Sequence, residues 1–176
     1  LLNSFTSARA QGDTDQLYEI GEKYLGTYGT SEQAAGVATT MGQTAAARFE
    51  YDRAIDYFER AAGLDPEQAP ALMLTVGTLK EQLGDLDGAV QTYRTAPTSD
   101  GGRRREAAVR MADIQLARRQ YQAVVDTLQP FNGSGDPEVL SRLGEAMLKM
   151  GQAFDAETYF LAVTQSPGAA SPGSIS

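Results

Sequence analysis

The stretch that decides the fold is Ala54-Ile55-Asp56-Tyr57-Phe58-Glu59-Arg60-Ala61-Ala62-Gly63-Leu64-Asp65-Pro66. Small residues stand at Ala54 and Ala61, an aromatic lies between them at Phe58, and Pro66 closes the run. Spacings of four and three place Ala54, Phe58 and Ala61 on one face of a helix. Small side chains on that face let a paired helix approach, and the ring fills the space beside them. Upstream, Met41-Gly42 supplies a large-then-small pair for the first helix of a hairpin, and Tyr51 sits where the turn leads into the second.

The same phrase returns along the chain. Val76-Gly77, Gly84-Asp85-Leu86, Ala89, Tyr93 and Ala96 repeat it; Met111-Ala112, Tyr121, Val124 and Leu128 repeat it more loosely. Leu143-Gly144, Gly151, Ala156 and Phe160 form a further copy. The first packing residue of each second helix, Ala54, Ala89, Val124 and Ala156, recurs at intervals of 35, 35 and 32. A period of this size marks a stack in which each unit buries its apolar face on the next. Before these copies, Gly12-Asp13-Thr14 resembles the turn and Leu17, Ile20, Tyr24 and Leu25 form an amphipathic second helix, after a truncated first helix from Leu1 to Ala10. That copy departs from the others at Gly21, where an aromatic is expected.

In these residues and this period the chain resembles the tetratricopeptide repeat family over residues 1–166. It departs from the family in having no Trp in any first helix, in placing Phe49 where a turn Gly is usual, and in inserting Thr98 to Gly102 between hairpins. The resemblance implies an all-α, right-handed superhelical solenoid of about five antiparallel helix-turn-helix hairpins. A degenerate hairpin would occupy 1–30, four hairpins 31–166, and a flexible Ser/Pro/Gly tail 167–176. Helix punctuation agrees with ten helices. Thr30-Ser31-Glu32, Asp65-Pro66-Glu67 and Asp136-Pro137-Glu138 each supply a capping oxygen and an early acid. Gly63, Gly84 and Gly151 are expected at helix ends or turns.

Composition narrows the function. The 176 residues include no Cys and no His, which removes disulfides, thiolate nucleophiles, Cys-ligated zinc and the commonest general base. A formal charge of −8 speaks against nucleic acid as a partner. No apolar run approaches the roughly 20 residues that cross a bilayer, so no membrane insertion is expected within this chain. Asn132-Gly133-Ser134 fits a glycosylation sequon and reads better as the loop before Asp136; no phosphate-binding loop follows Gly133 and Gly135. Neither a cofactor nor a catalytic or metal site is expected.

The expected function is a non-catalytic scaffold that binds a protein partner, because the resemblance implies a concave face built from the first helices on which family members hold extended segments. On that face the reading places Thr39 and Gln43, then Thr75 and Thr78, then Arg110 and Asp113, then Arg142 and Glu145. The carboxylate clamp of chaperone-binding members is missing, since Thr39, Gln43, Leu74, Thr78, Val109 and Asp113 stand where its Lys and Asn would. Arg110 and Arg142 occupy equivalent places and read either as guanidinium forks toward a partner's acid or as i,i+3 pairs with Asp113 and Glu145.

Arg94, Arg103, Arg104, Arg105, Arg118 and Arg119 form, with Arg110, a basic concentration on an acidic chain, read as a patch for an acidic partner or as a solvated helix start. A homodimer through an uncapped end of the stack is a further expectation. The alternative is the helical arm of a larger envelope or polysaccharide secretion protein, or of an enzyme whose chemistry lies elsewhere, since the chain lacks an initiating Met and starts within a helix. Absence of Cys fits an oxidising compartment and leans the reading toward a bacterial periplasm over a cytoplasm.

Overall fold

The computed structural model describes residues 1–96 and 100–165. The expected tail at 167–176 lies outside the described residues, as do residues 97–99, which include the first two of the insertion. Ten α-helices are described: α1 (Leu2–Gln11), α2 (Thr14–Tyr28), α3 (Ala34–Ala47), α4 (Tyr51–Leu64), α5 (Ala69–Gln82), α6 (Leu86–Thr95), α7 (Gly101–Ala117), α8 (Tyr121–Leu128), α9 (Pro137–Lys149) and α10 (Ala153–Gln165). A 3-10 segment, Gln129–Ser134, follows α8. Among the described residues there is no strand. The helices pair as five hairpins, and they group into two compact units, Leu1–Thr98 and Ser99–Ser176, a division the sequence does not announce. Each unit is described by itself.

The turn inside every hairpin has one geometry. Its pivot residue is left-handed: Gly12 (φ 70°), Phe49 (61°), Gly84 (79°), Arg119 (59°) and Gly151 (80°). The following N–H reaches back five residues in each case: Asp13 to Ala8 O (3.0 Å), Glu50 to Ala45 O (3.0 Å), Asp85 to Lys80 O (2.9 Å), Gln120 to Gln115 O (2.9 Å) and Gln152 to Met147 O (2.9 Å). This hydrogen bond closes the end of the first helix and satisfies carbonyls that otherwise lack a partner. Glycine adopts that conformation without penalty, whereas a residue with a Cβ is disfavoured by about 1–2 kcal/mol. Phe49→Gly and Arg119→Gly are therefore each expected to stabilise the protein by about 1 kcal/mol in urea melts. Phe49 is 77% exposed, so little packing opposes the gain; a lower midpoint in both variants would contradict this account of the turns.

Aspartates start four of the helices. The carboxylates of Asp13, Asp85 and Asp136 accept hydrogen bonds from the N–H groups of Gln16, Gly88 and Glu138, at 3.0, 2.9 and 2.9 Å. Asp100 does the same for Gly102 at 2.8 Å. Asp65 accepts from the N–H groups of Glu67 and Gln68 and so caps the turn that leads into α5. One expectation fails here. Ser31 does not cap α3, which starts after Gln33; its hydroxyl instead meets Tyr24 Oη at 3.1 Å. Gly63 lies in the last turn of α4, one residue before its end.

The core of the first unit joins Phe5 of α1, Leu17 and Leu25 of α2, Val37 and Met41 of α3, Phe58 of α4 and Val76 of α5. Its spacing depends on one pair per hairpin. A Cβ on Gly42 would lie 2.8 Å from Phe58 Cδ1, and one on Gly77 would lie 2.6 Å from Tyr93 Cζ, so each ring lies against bare backbone. In the second unit Gly144 faces Phe160 in the same way, at 2.8 Å from Cε1. Between them, Ala112 and Leu128 stand sixteen residues apart like the other pairs, both fully buried in the second core. The first hairpin inverts the pair. Phe5 is on the first helix and Gly21 on the second; where a Cβ of Gly21 would stand, Met41 of α3 comes nearest and Phe5 Cε2 lies at 3.0 Å. The aromatic missing at Gly21 has moved to the opposite helix.

Candidate functional site

In the first unit, the residues expected on the first-helix face are polar and uncharged. Gln43 and Thr75 are exposed, and Thr39 and Thr78 are half-buried. Two of the hydroxyls bond to their own helix: Thr75 donates to Ala71 O at 3.1 Å and Thr78 to Leu74 O at 3.1 Å. Such bonds leave oxygen lone pairs but no proton for a partner. Thr78 Oγ1 also stands 3.4 Å from Tyr93 Oη, which donates to Glu81. The Thr39 hydroxyl is buried and lacks a partner among the described residues.

In the second unit, α7 and α9 bring Asp113 and Arg142 together. Arg142 Nε and Nη2 donate to the two Asp113 carboxylate oxygens at 2.6 and 3.0 Å, and Nη1 donates to Glu138 O at 3.1 Å. The hydrogen bond to Asp113 raises the Arg142 pKa further, against the opposing effect of burial. Arg142 thus pairs across the hairpin stack and not with Glu145, as its own-helix spacing suggested. Its fork is occupied by Asp113. Arg110 is exposed and has no ion-pair partner among the described residues, and Glu145 is exposed as well.

The arginine cluster is broken up in the same manner. Arg103 lies 3.4 Å from Asp100, and Arg105 Nε lies 2.8 Å from Asp136. A cleft of about 360 Å³ there holds those two arginines with Asp100, Glu106, Asp136 and Glu138, so acids outnumber bases. The Asp100 cap and its pairing with Arg103 offset three arginines placed against the positive end of α7. Arg104 and Arg118 are exposed, and Arg119 is the left-handed turn residue. Arg94 belongs to the last turn of α6, in the other unit, where a cation suits the helix dipole.

A polar and aromatic cluster between α2 and α4 was not singled out by the sequence. The rings of Tyr18 and Tyr57 stack at 5.9 Å with 11° between planes, and the Arg53 guanidinium lies 3.4 Å over the Tyr18 ring. Tyr57 Oη donates to Glu22 Oε1 at 2.6 Å, Arg60 stands 3.6 Å from Glu22, and Glu50 accepts from Arg48 and Arg53. Arg53 and Tyr57 sit one turn apart, and comparing this copy with the others position by position would have marked them.

Burial, followed by the bond to Glu22, pushes the Tyr57 pKa up to about 12. The folded value lies above the ordinary 10.0, so the folded state holds the proton longer than the unfolded chain. The resulting stability is full below pH 10 and is lost as pH rises from about 10 toward 12. Tyr57→Phe is expected to flatten stability against pH in that window, measured by urea melts; an unchanged slope would remove Tyr57 as its source.

The end of the second unit is apolar. Phe160 is 39% exposed whereas its equivalent Phe58 is 3% exposed, and Phe154 and Leu161 are exposed beside it. A cleft of about 410 Å³ opens between Leu148, Ala156, Phe160 and Leu161. No helix among the described residues is long and apolar enough to cross a membrane. No group of three or more carboxylates suited to a metal ion occurs among them.

Residues 35–68 match the family model of the tetratricopeptide repeat. No curated protein sequence matches the chain. Solved structures do. A crystal structure of MamA is 14% identical, covering 94% of this chain and 88% of that one, with a TM-score of 0.67. A tetratricopeptide repeat protein from Parabacteroides merdae ATCC 43184 is 11% identical, with coverage of 93% and 64% and a TM-score of 0.67. YrrB, described as a tetratricopeptide-repeat protein with an unusual peptide-binding site, is 16% identical, with coverage of 84% and 74% and a TM-score of 0.61.

Proposed function

We propose that this chain, a tetratricopeptide-repeat protein in fold, is a non-catalytic scaffold in which each of the two units offers its own first-helix face to a segment of a partner protein. The observation that carries the reading is Arg110. It is exposed on α7 without an ion-pair partner among the described residues, while the neighbouring Asp113 is held by Arg142. A free guanidinium beside an internally neutralised pair gives a partner's carboxylate one place to dock. In the other unit Gln43 and the lone pairs of Thr75 and Thr78 suit the amides of an extended backbone. The peptide-binding site named for YrrB, a protein of like fold, supports the same use. The net charge of −8 supports a protein over a nucleic acid as the partner. The exposed apolar end at Phe154, Phe160 and Leu161 favours pairing with a second copy as an additional property.

The test is capture of partners by the wild-type chain, identification by mass spectrometry, and affinity measurement with the recovered partner. Arg110→Glu and Gln43→Arg are each expected to weaken that affinity about tenfold or more while the helical circular-dichroism signal is unchanged. Light scattering of the same samples reads self-association. Retention of full affinity in both variants would rule out the first-helix faces as the binding surface.

A further inference from the structure

The second helices of the two units can be compared position by position once they are aligned on their left-handed turn residues, Phe49 with Gly151 and Gly12 with Arg119. Tyr57 then corresponds to Tyr159, Phe58 to Phe160 and Ala54 to Ala156, so the register is fixed by three matching side chains. The groove between α2 and α4 in the first unit is closed by that unit's own residues. Arg53 lies on the Tyr18 ring, Tyr18 stacks on Tyr57, and Glu22 binds both Tyr57 and Arg60.

In the second unit every one of those partners has changed except the tyrosine. Arg53 becomes Asp155, Arg60 becomes Ala162, Tyr18 becomes Val125 and Glu22 becomes Gln129. The chain also leaves the helical path early, because Pro130 offers no N–H to extend α8 and the 3-10 segment follows. The result is a cleft of about 750 Å³ between that segment and α10, the size of a ligand site. Leu140 and Met147 of α9 lie at it, with Asn132 and Thr158 as hydrogen-bonding groups and Asp155 and Tyr159 one turn apart on α10. Asp155 is exposed and has no ion-pair partner among the described residues.

We infer that this cleft receives an arginine side chain of a partner protein, its guanidinium set against the Asp155 carboxylate and the Tyr159 ring. The first unit supplies the pattern from within, a guanidinium 3.4 Å over the Tyr18 ring and 5.8 Å from the Tyr57 ring that Tyr159 matches. The second unit removes both cations and the Glu22 carboxylate, keeps that second ring and sets a carboxylate one turn from it at Asp155, which reverses the charge the cleft accepts. Arginine suits the place better than lysine, because a planar guanidinium stacks on a ring and bonds a carboxylate at its edge. The acidic charge of the whole chain draws such a segment in. This cleft shares no residue with the first-helix faces proposed above, so the inference stands or falls apart from them.

The experiment is a two-dimensional amide NMR titration of the full chain with acetyl-Gly-Arg-Gly-amide, and separately with the citrulline peptide of the same shape. Saturable shifts confined to residues 132–135 and 153–165 are expected with the arginine peptide, and weaker binding by about fivefold or more with citrulline. Asp155→Asn is expected to weaken the arginine peptide by a similar factor and Asp155→Arg to abolish its binding, whereas Glu157→Gln, on the same helix outside the cleft, should leave it unchanged. Tyr159→Leu tests the ring independently and should weaken binding as well. Equal binding of the citrulline peptide, unsaturable shifts spread over the acidic surface, or indifference to Asp155→Asn would overturn the inference.

Discussion

Phe58→Ala is expected to lower the unfolding free energy by about 3–5 kcal/mol, the scale of deleting a buried aromatic from a packed core. The ring is 3% exposed and lies against the bare backbone at Gly42. Glycine has no side chain to swing into the space, so the cavity would persist instead of collapsing. A domain of about 100 residues is usually stable by about 5–15 kcal/mol, so the loss would leave the first unit marginal. Urea melts followed by circular dichroism and by tyrosine fluorescence would register it, the first unit unfolding at lower denaturant. The molecule also supplies the repair. Phe58→Leu together with Gly42→Ala reproduces the Ala112–Leu128 pair and should recover most of the loss, since summed volume is nearly kept. A loss below about 1 kcal/mol for Phe58→Ala would mean that the ring is not what spaces α3 from α4.

Gly77→Ala is expected to destabilise by about 1–3 kcal/mol even though alanine is the better helix former. Its Cβ would stand 2.6 Å from Tyr93 Cζ, and the ring has little freedom to retreat. Tyr93 Oη is bonded to Glu81 and lies 3.4 Å from Thr78 Oγ1, so the far end of the side chain is held in place. Gly63, in the last turn of α4, has nothing within 4 Å of a built Cβ. Gly63→Ala should therefore stabilise, by up to about 0.5 kcal/mol, through helix propensity alone. Opposite signs at two helical glycines isolate the steric term, since both substitutions relieve the same backbone entropy. A stabilising Gly77→Ala would show that Tyr93 relaxes freely and that the close approach has no energetic weight.

The sequence carried the hairpins because their determinant is local. A small residue and a ring at helical spacing recur with each turn, and the same backbone bond closes each turn whether its pivot is Gly84 or Phe49. What it did not carry depends on residues distant in the chain. Arg142 pairs with Asp113 twenty-nine positions away, although Glu145 on its own helix offered an equally good spacing. Tyr18 and Tyr57 meet only because α2 and α4 lie side by side, and each alone reads as ordinary packing. Ser31 looked like a cap because its type suits one; the Tyr24 hydroxyl nearby decided otherwise. The boundary between the two units follows Thr98, where sixteen-residue pairing inside hairpins gives no information about cohesion between them.

The exchanged pair in the first hairpin bears on how such a chain changes over generations. Gly42 with Phe58, Ala112 with Leu128, and Phe5 with Gly21 fill the same gap with different shares from its two walls. Selection then acts on the combined volume of two sites rather than on either site. The alanine–leucine pair is a halfway state from which the larger partner can pass to the other helix in small steps, none of which leaves a large void or a hard clash. A lineage following that route would keep its architecture while erasing the residue pattern by which the repeat is recognised.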